Sequence, residues 1–178
     1  MKISIREATC SDVQGIAHVH VAAWKTAYRG IVPQPFLDSL DVASRVETWK
    51  GEFDKGGSHI CVAENETEVC GFASGGALRE PIEDFDAEIY AIYLLPTVKG
   101  RGAGRLLMQH LAQTLRNDGF SRVAVWVLGE NPSRSFYEHL GAKLITQKLI
   151  RIGDADLPEV AYGWHDIRTL ATPAEDRS

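Results

Sequence analysis

The sequence is poor in several features that would mark common protein classes. Cysteine is scarce, with only Cys10, Cys61 and Cys70 in 178 residues. An odd count with no close-spaced pair argues against a disulfide framework or a cysteine-based zinc site. The expected state is three reduced, mostly buried thiols, with Cys61 and Cys70 on neighbouring strands. No apolar run approaches the ~20 residues that span a bilayer. The start, Met1-Lys2-Ile3-Ser4-Ile5-Arg6, has no apolar signal-peptide core. Both observations predict a cytoplasmic protein with no membrane partner. Positive charge is not in excess, since the formal net charge is -5. A protein that binds nucleic acid broadly needs a basic patch, so no nucleic-acid partner is expected. The six histidines show no ligand spacing. His18 and His20 leave a helix in different directions, which predicts no metal site. Repeats, low-complexity segments and linkers are absent as well.

What remains is ordinary globular composition, 44% apolar and 24% charged. The length suits one domain with a sizeable core, expected over residues 1–168, followed by a polar, frayed tail at 169–178. Alternation of Ile3 and Ile5 with polar neighbours predicts a strand at 2–7. Ser11 and Gln14 have capping-box spacing. They precede Val13, Ile16, Ala17, His20, Trp24 and Ala27, which share one helical face. Gly30 and Pro33 end that helix. A helical turn at 36–40 follows, and then a second helix capped by Asp41.

Strands are predicted at 60–63 and 69–75, joined as a hairpin, with a third at 88–95 after an acidic loop. Leu107, Leu111 and Leu115 recur at i+4, so 104–117 is a helix that stops at Gly119. A strand at 121–128, a short helix at 132–140 with Pro in its first turn, and strands at 143–152 and 160–164 complete the order β α α β β β α β α β β. The fold class is mixed α and β, with helices flanking one mixed sheet.

The most informative segment is Leu94-Leu95-Pro96-Thr97-Val98-Lys99-Gly100-Arg101-Gly102-Ala103-Gly104-Arg105. It joins a strand to the start of a long helix. Glycines at alternate positions let the backbone turn tightly and bring N–H groups close to a ligand. The helix start adds unpaired donors and partial positive charge, and Lys99, Arg101 and Arg105 add cations. Together these make a phosphate cradle. The alternative is a flexible Gly/Arg turn that binds nothing. A P-loop is excluded, because Arg105-Leu106 stands where Lys-Ser/Thr would. A dinucleotide fingerprint is excluded as well, because Arg105 occupies the third glycine position.

Lys99-Gly100-Arg101-Gly102-Ala103-Gly104 resembles the acyl-CoA pyrophosphate loop of the GCN5-related N-acetyltransferase (GNAT) family, Arg/Gln-x-x-Gly-x-Gly/Ala, with Lys99 in place of the first residue. The resemblance implies a GNAT-like twisted sheet and acetyl-CoA as co-substrate. It also implies that Ile92, Tyr93 and Leu94 offer backbone groups to the pantetheine arm and the thioester carbonyl, while Lys99 to Arg105 wrap the pyrophosphate. A second stretch, Asn131 to Ala142, resembles the family's short helix, in which an Asn contacts CoA and a Tyr sits near the sulfur. Here these are Asn131 and Tyr137, six apart, and Ala142 stands where Phe is common.

A phenol suits proton donation to a departing thiolate; the alternative for Tyr137 is a core aromatic. A base is also needed, because an alkyl amine is protonated at neutral pH. Glu88 is the candidate, with Asp86 and Glu83 as rivals; its alternative is a solvated strand-end charge. The acceptor side falls to the N-terminal helices, where the Trp24…Tyr28-Arg29-Gly30 pattern resembles related enzymes and makes Trp24 and Tyr28 candidates. The expected activity is transfer of acetyl to a primary amine on a small molecule or peptide, with a homodimer compatible with it. Transfer of another acyl group and non-catalytic acyl-CoA sensing stay open.

Overall fold

The computed structural model describes residues 2–66 and 68–171. Thr67, in the connection expected to close a hairpin, and residues 172–178 of the expected tail lie outside the described residues. The elements are β1 (Ser4–Glu7), α1 (Val13–Ala27), α2 (Gln34–Ser39), α3 (Val42–Lys55), β2 (Ser58–Glu64), β3 (Val69–Ala77), β4 (Ala87–Leu94), α4 (Ala103–Asn117), β5 (Val123–Leu128), α5 (Arg134–His139), β6 (Lys143–Ile152), β7 (Ala155–Trp164) and α6 (Arg168–Ala171). All seven strands join one sheet in the order β1-β2-β3-β4-β5-β7-β6. Each neighbouring pair is antiparallel except β4 and β5.

The two faces of the sheet carry different helices. Phe72 of β3 meets His20 of α1 and Trp49 of α3, with the Phe72 and Trp49 ring centroids 5.0 Å apart. From the other face the Cys61 Sγ approaches the Leu107 carbonyl of α4 at 3.9 Å. The i+4 leucines of α4, Leu107, Leu111 and Leu115, are all buried, as is Met108. Each such side chain removed from water contributes about 1.5–3 kcal/mol, so this one face anchors α4 and with it the glycine loop that precedes it.

Two local features differ from the sequence expectation, each for a physical reason. The start of α1 is organised by Asp12 rather than by Ser11 and Gln14. Asp12 accepts from the Thr9 backbone N–H at 2.8 Å, and both of its oxygens take Arg6 guanidinium donors at 2.8 Å. A bidentate charged pair outcompetes a serine hydroxyl for the cap. The last strand begins at Ala155 rather than at 160, because a two-residue turn at Gly153-Asp154 pairs Ile152 with Ala155. Pro158 argues against a strand interior in sequence. It is tolerated because β5 runs only to Leu128, opposite Glu159. The Pro158 carbonyl receives the Gly129 N–H at 2.8 Å.

The cysteines are free thiols, with Cys10 exposed and Cys61 and Cys70 buried. Burial pushes the Cys61 thiol up to about 12. No helix among the described residues is long and apolar enough to cross a membrane.

His20 is the least comfortable ionisable group in the core. Its Nδ1 accepts the Trp49 indole N–H at 3.2 Å. Burial, and secondarily the charge of Arg45, pull its pKa from 6.5 down to about 3. The folded chain therefore resists a proton that the unfolded chain accepts. Between the unfolded value near 6.5 and about 3, stability falls as pH falls, by at most about 1.4 kcal/mol per pH unit. Urea unfolding should show a lower midpoint at pH 5 than at pH 7. His20→Asn, which keeps an acceptor for Trp49, should flatten that slope; an unchanged slope would place its origin elsewhere.

Candidate active site

The site begins where β4 and β5 part. Their parallel pairing covers only Ala87–Ile89 against Val123–Val125. A bulge in the β3–β4 ladder lies beside this point: Ser74 pairs with Ala91 and Gly75 with Ile89, so Tyr90 is the extra residue. A bulge bends its strand and turns one backbone group out of the ladder. Beyond Ile89 the β5-facing N–H and C=O groups of β4 have no strand to pair with. An extended ligand arm can take up such an edge like an added strand.

A cavity of about 410 Å³ fills the gap. Its walls come from β4 (Tyr90 to Leu94), β5 (Val125 to Val127), the end of α1 (Ala23, Ala27 and Tyr28) and the α5 region (Asn131, Ser133, Phe136 and Tyr137). At its mouth stand Lys99, Gly100, Gly102, Gly104 and Arg105. Eleven of the sequence-designated residues therefore share one cavity: Tyr28, Ile92, Tyr93, Leu94, Lys99, Gly100, Gly102, Gly104, Arg105, Asn131 and Tyr137. Trp24, Glu88, Arg101 and Ala103 are not on its wall.

The glycine loop has the shape its residue types suggest. Gly100 and Gly102 take φ of 74° and 84°, in the left-handed region that favours glycine. Gly102 is the N-cap of α4 and offers no side chain to the helix start. Its carbonyl accepts Leu106 N–H. Among the described residues, the N–H groups from Gly100 to Arg105 find no protein acceptor, and Lys99, Arg101 and Arg105 form no ion pair. Free amides plus three uncommitted cations fit a pyrophosphate. Gly104, inside the helix, has Phe136 and Leu94 within 3.2–3.4 Å of where a Cβ would stand. A larger residue there would crowd both walls.

At the inner end three phenols gather. Tyr28 lines the cavity with Tyr93 and Asn131, and burial above all raises its phenol above the ordinary range. Asn131 Oδ1 accepts the Ser133 N–H at 2.9 Å, which fixes the turn into α5. Tyr137 is buried against Phe136, Tyr162 and Trp164. Burial above all, with a smaller contribution from Tyr28, pushes the Tyr137 phenol well above its ordinary range. It is therefore a protonated donor at neutral pH. Trp24 packs edge-on against Tyr28, centroids 4.6 Å apart, behind the wall. Its buried indole N–H lies beside Tyr93 without a well-formed hydrogen bond.

Glu88 stands outside this cavity. It is buried and bound to Arg79, through Nε at 3.0 Å, the Arg79 backbone N–H at 3.1 Å and a second guanidinium nitrogen. It lines a second cavity of about 320 Å³ with Arg79, Glu80, Trp126, Lys148 and Glu159. Trp126 also lines the first cavity, so the two spaces share a wall. Asp86, one of its rivals as base, caps the Ser121–Arg122 backbone instead.

Arg79, Trp126, Lys148 and Glu159 were not designated from sequence. They belong to four segments that meet only through the strand order β4-β5-β7-β6, and Glu159 follows the proline that masks the start of β7.

Comparison with known proteins agrees with this geometry. Residues 21–142 match the profile of the Acetyltransferase (GNAT) family. The uncharacterized N-acetyltransferase YuaI of Bacillus subtilis (strain 168) is 39% identical over 171 residues, covering 96% of this chain and 97% of that protein. The L-methionine sulfoximine/L-methionine sulfone acetyltransferase of Pseudomonas aeruginosa is 30% identical over 152 residues, covering 83% and 84%. The crystal structure of a GNAT superfamily phosphinothricin acetyltransferase from Sinorhizobium meliloti, in complex with AcCoA, superposes with a TM-score of 0.68 at 20% identity, covering 92% and 88%.

Gly102→Asp places a carboxylate at the cradle and a side chain on a left-handed backbone. No protein atom lies within 4 Å of its Cβ position, so the harm should fall on the ligand. Calorimetry should show CoA affinity reduced by about 100-fold or more, ~2.7 kcal/mol, with the far-ultraviolet dichroism unchanged. Equal affinity in the variant would remove the loop from the donor site.

Proposed function

Because the chain belongs to the Acetyltransferase (GNAT) family, we propose that it transfers an acetyl group from acetyl-CoA to the primary amine of a small molecule or peptide. The observation that carries this reading is the single cavity between the diverging β4 and β5, which joins the glycine cradle to Tyr137. The Lys99–Arg105 segment holds the pyrophosphate through backbone amides and unpaired cations. The free edge of β4, Ile92 to Leu94, receives the pantetheine arm. A backbone N–H along this edge donates to the thioester oxygen as negative charge develops there. The apolar inner walls, Val125, Val127 and Phe136, exclude water from the reacting atoms.

Tyr137 supplies the proton for the departing thiolate. Its burial keeps the phenol neutral until that charge appears. The same burial disfavours a bare thiolate and so favours its protonation, while the phenolate left behind must recover a proton from the acetylated nitrogen. Tyr28 and Asn131 form the opposite wall, with Asn131 fixed by the Ser133 N–H that its Oδ1 accepts. Glu88 is already neutralised by Arg79 and positions that guanidinium rather than taking the amine's proton. The exposed free thiol of Cys10 suits a reducing compartment, in keeping with a cytoplasmic enzyme.

The test is release of CoA thiol from acetyl-CoA across a panel of primary amines. Amine-dependent release is expected. Tyr137→Phe should lower kcat by about 10²- to 10⁴-fold and leave CoA affinity unchanged. CoA binding without release for any amine would defeat the enzyme reading in favour of an acyl-CoA sensor; release with succinyl- or propionyl-CoA in preference to acetyl-CoA would correct the donor.

A further inference from the structure

The second cavity has a charge imbalance. Three carboxylates, Glu80, Glu88 and Glu159, face two cations, Arg79 and Lys148. Both cations are committed. Arg79 is bound to Glu88 and stacks on the Tyr90 ring at 4.8 Å. Lys148 is paired with Glu80 and lies over the Trp126 ring at 4.3 Å. The Glu159 side chain forms no ion pair or hydrogen bond among the described residues, although it is half-buried on β7. A carboxylate withdrawn from water and left without a partner is costly unless a ligand completes it.

Its position is beside the strand that divides the two spaces. Glu159 pairs with Leu128 of β5 and Lys148 of β6. Its charge is felt at Tyr28 in the first cavity, as a small addition to the burial that holds that phenol protonated. Trp126 is the common wall.

We infer that the second cavity is the acceptor's chamber, in which Glu159 pairs with the acceptor's ammonium group and receives its proton. This rests on the acetyltransferase reading above. It also names a substrate class: primary amines that carry no carboxylate beside the amine. An α-amino acid would need a free cation for its carboxylate, and neither Arg79 nor Lys148 is free.

The protons balance as follows. The ammonium gives one proton to Glu159, which passes it to solvent. The freed nitrogen lone pair forms the C–N bond, and the C–S pair leaves on sulfur. Tyr137 protonates that sulfur and recovers its proton from the nitrogen, leaving an amide and free CoA thiol. Around Glu159 stand Lys148 on β6, Arg79 and Glu80 before β4, Glu88 on β4 and Tyr28 at the end of α1. Burial raises the Glu159 carboxyl above its ordinary range, against the opposing pull of Lys148 and Arg79. A carboxyl so raised is a stronger proton acceptor than a solvated one.

The experiment uses two matched probe pairs, phenylalanine with phenethylamine and leucine with 3-methylbutylamine. Thiol release and calorimetric binding to the CoA-saturated protein are measured for wild type, Glu159→Gln and Glu159→Asp. The decarboxylated member of each pair should have the higher kcat/KM, by about 10-fold or more. Glu159→Gln should lower kcat/KM for it by about 100-fold and flatten the acidic limb of its pH profile. CoA affinity should be unchanged, and Glu159→Asp should recover part of the rate. Wild-type turnover that Glu159→Gln leaves intact overturns this inference and spares the acetyltransferase reading. Preference for the amino acids overturns the substrate class. No turnover in wild type defeats the acetyltransferase reading; Glu159-dependent amine binding would then still uphold the chamber, and its absence would overturn that too.

Discussion

The parallel pairing of β4 with β5 lasts for three residue pairs and then stops, and the rest of the site depends on that short contact. A longer ladder would close the gap and satisfy the β4 edge internally. No pairing at all would let the two halves of the sheet separate. Three pairs hold the strands together at one end while leaving the other end as an open slot with unsatisfied backbone groups. The bulge at Tyr90 sits at the fork and strengthens the local bend. The slot is thus a consequence of sheet geometry, and the side chains that line it supply its chemistry.

The polar groups along the slot are sorted by their charge partners. At the mouth, cations and amides are left unpaired, which favours a dianionic ligand. At the inner end, phenols are buried and neutral. Across the Trp126 wall, ion pairs consume both cations and leave one carboxylate over. Charge changes from positive at the glycine cradle to negative in the second cavity. The two cavities therefore favour ligands of opposite charge, and each ligand is disfavoured in the other's cavity.

The fold and the cavity that joins the glycine loop to Tyr137 were largely legible in the sequence, because their signals are local. Leu107, Leu111 and Leu115 announce α4 by spacing alone, and Lys99 to Arg105 carry their chemistry in seven consecutive residues. Tyr137 stands in a short motif with its own helix. The second cavity was not legible. Arg79, Trp126 and the Lys148–Glu159 hairpin pair lie far apart in sequence and are joined by a strand order that periodicity does not encode. Glu88 illustrates the limit: its place near the fork could be read, but its burial against Arg79 could not, because no spacing rule links a strand residue to a loop nine positions earlier. Asp12 displaced the expected cap for the same reason, since Arg6 reaches it from another element.

The hairpin of β6 and β7 carries Lys148 and Glu159, and its tip rests on α2, where Phe36 lies 3.4 Å from the Cβ position of Gly153. Ile150, Ile152 and Leu157 of the same hairpin join the small cluster around Tyr28 and Leu37. The donor cradle, by contrast, is anchored by α4 on the far face of the sheet. Substitutions at the hairpin tip therefore act on the Tyr28 wall of the cavity, while the glycine cradle keeps its own support. This separation makes the chain modular in the evolutionary sense: the cradle can stay constant while the wall opposite it varies.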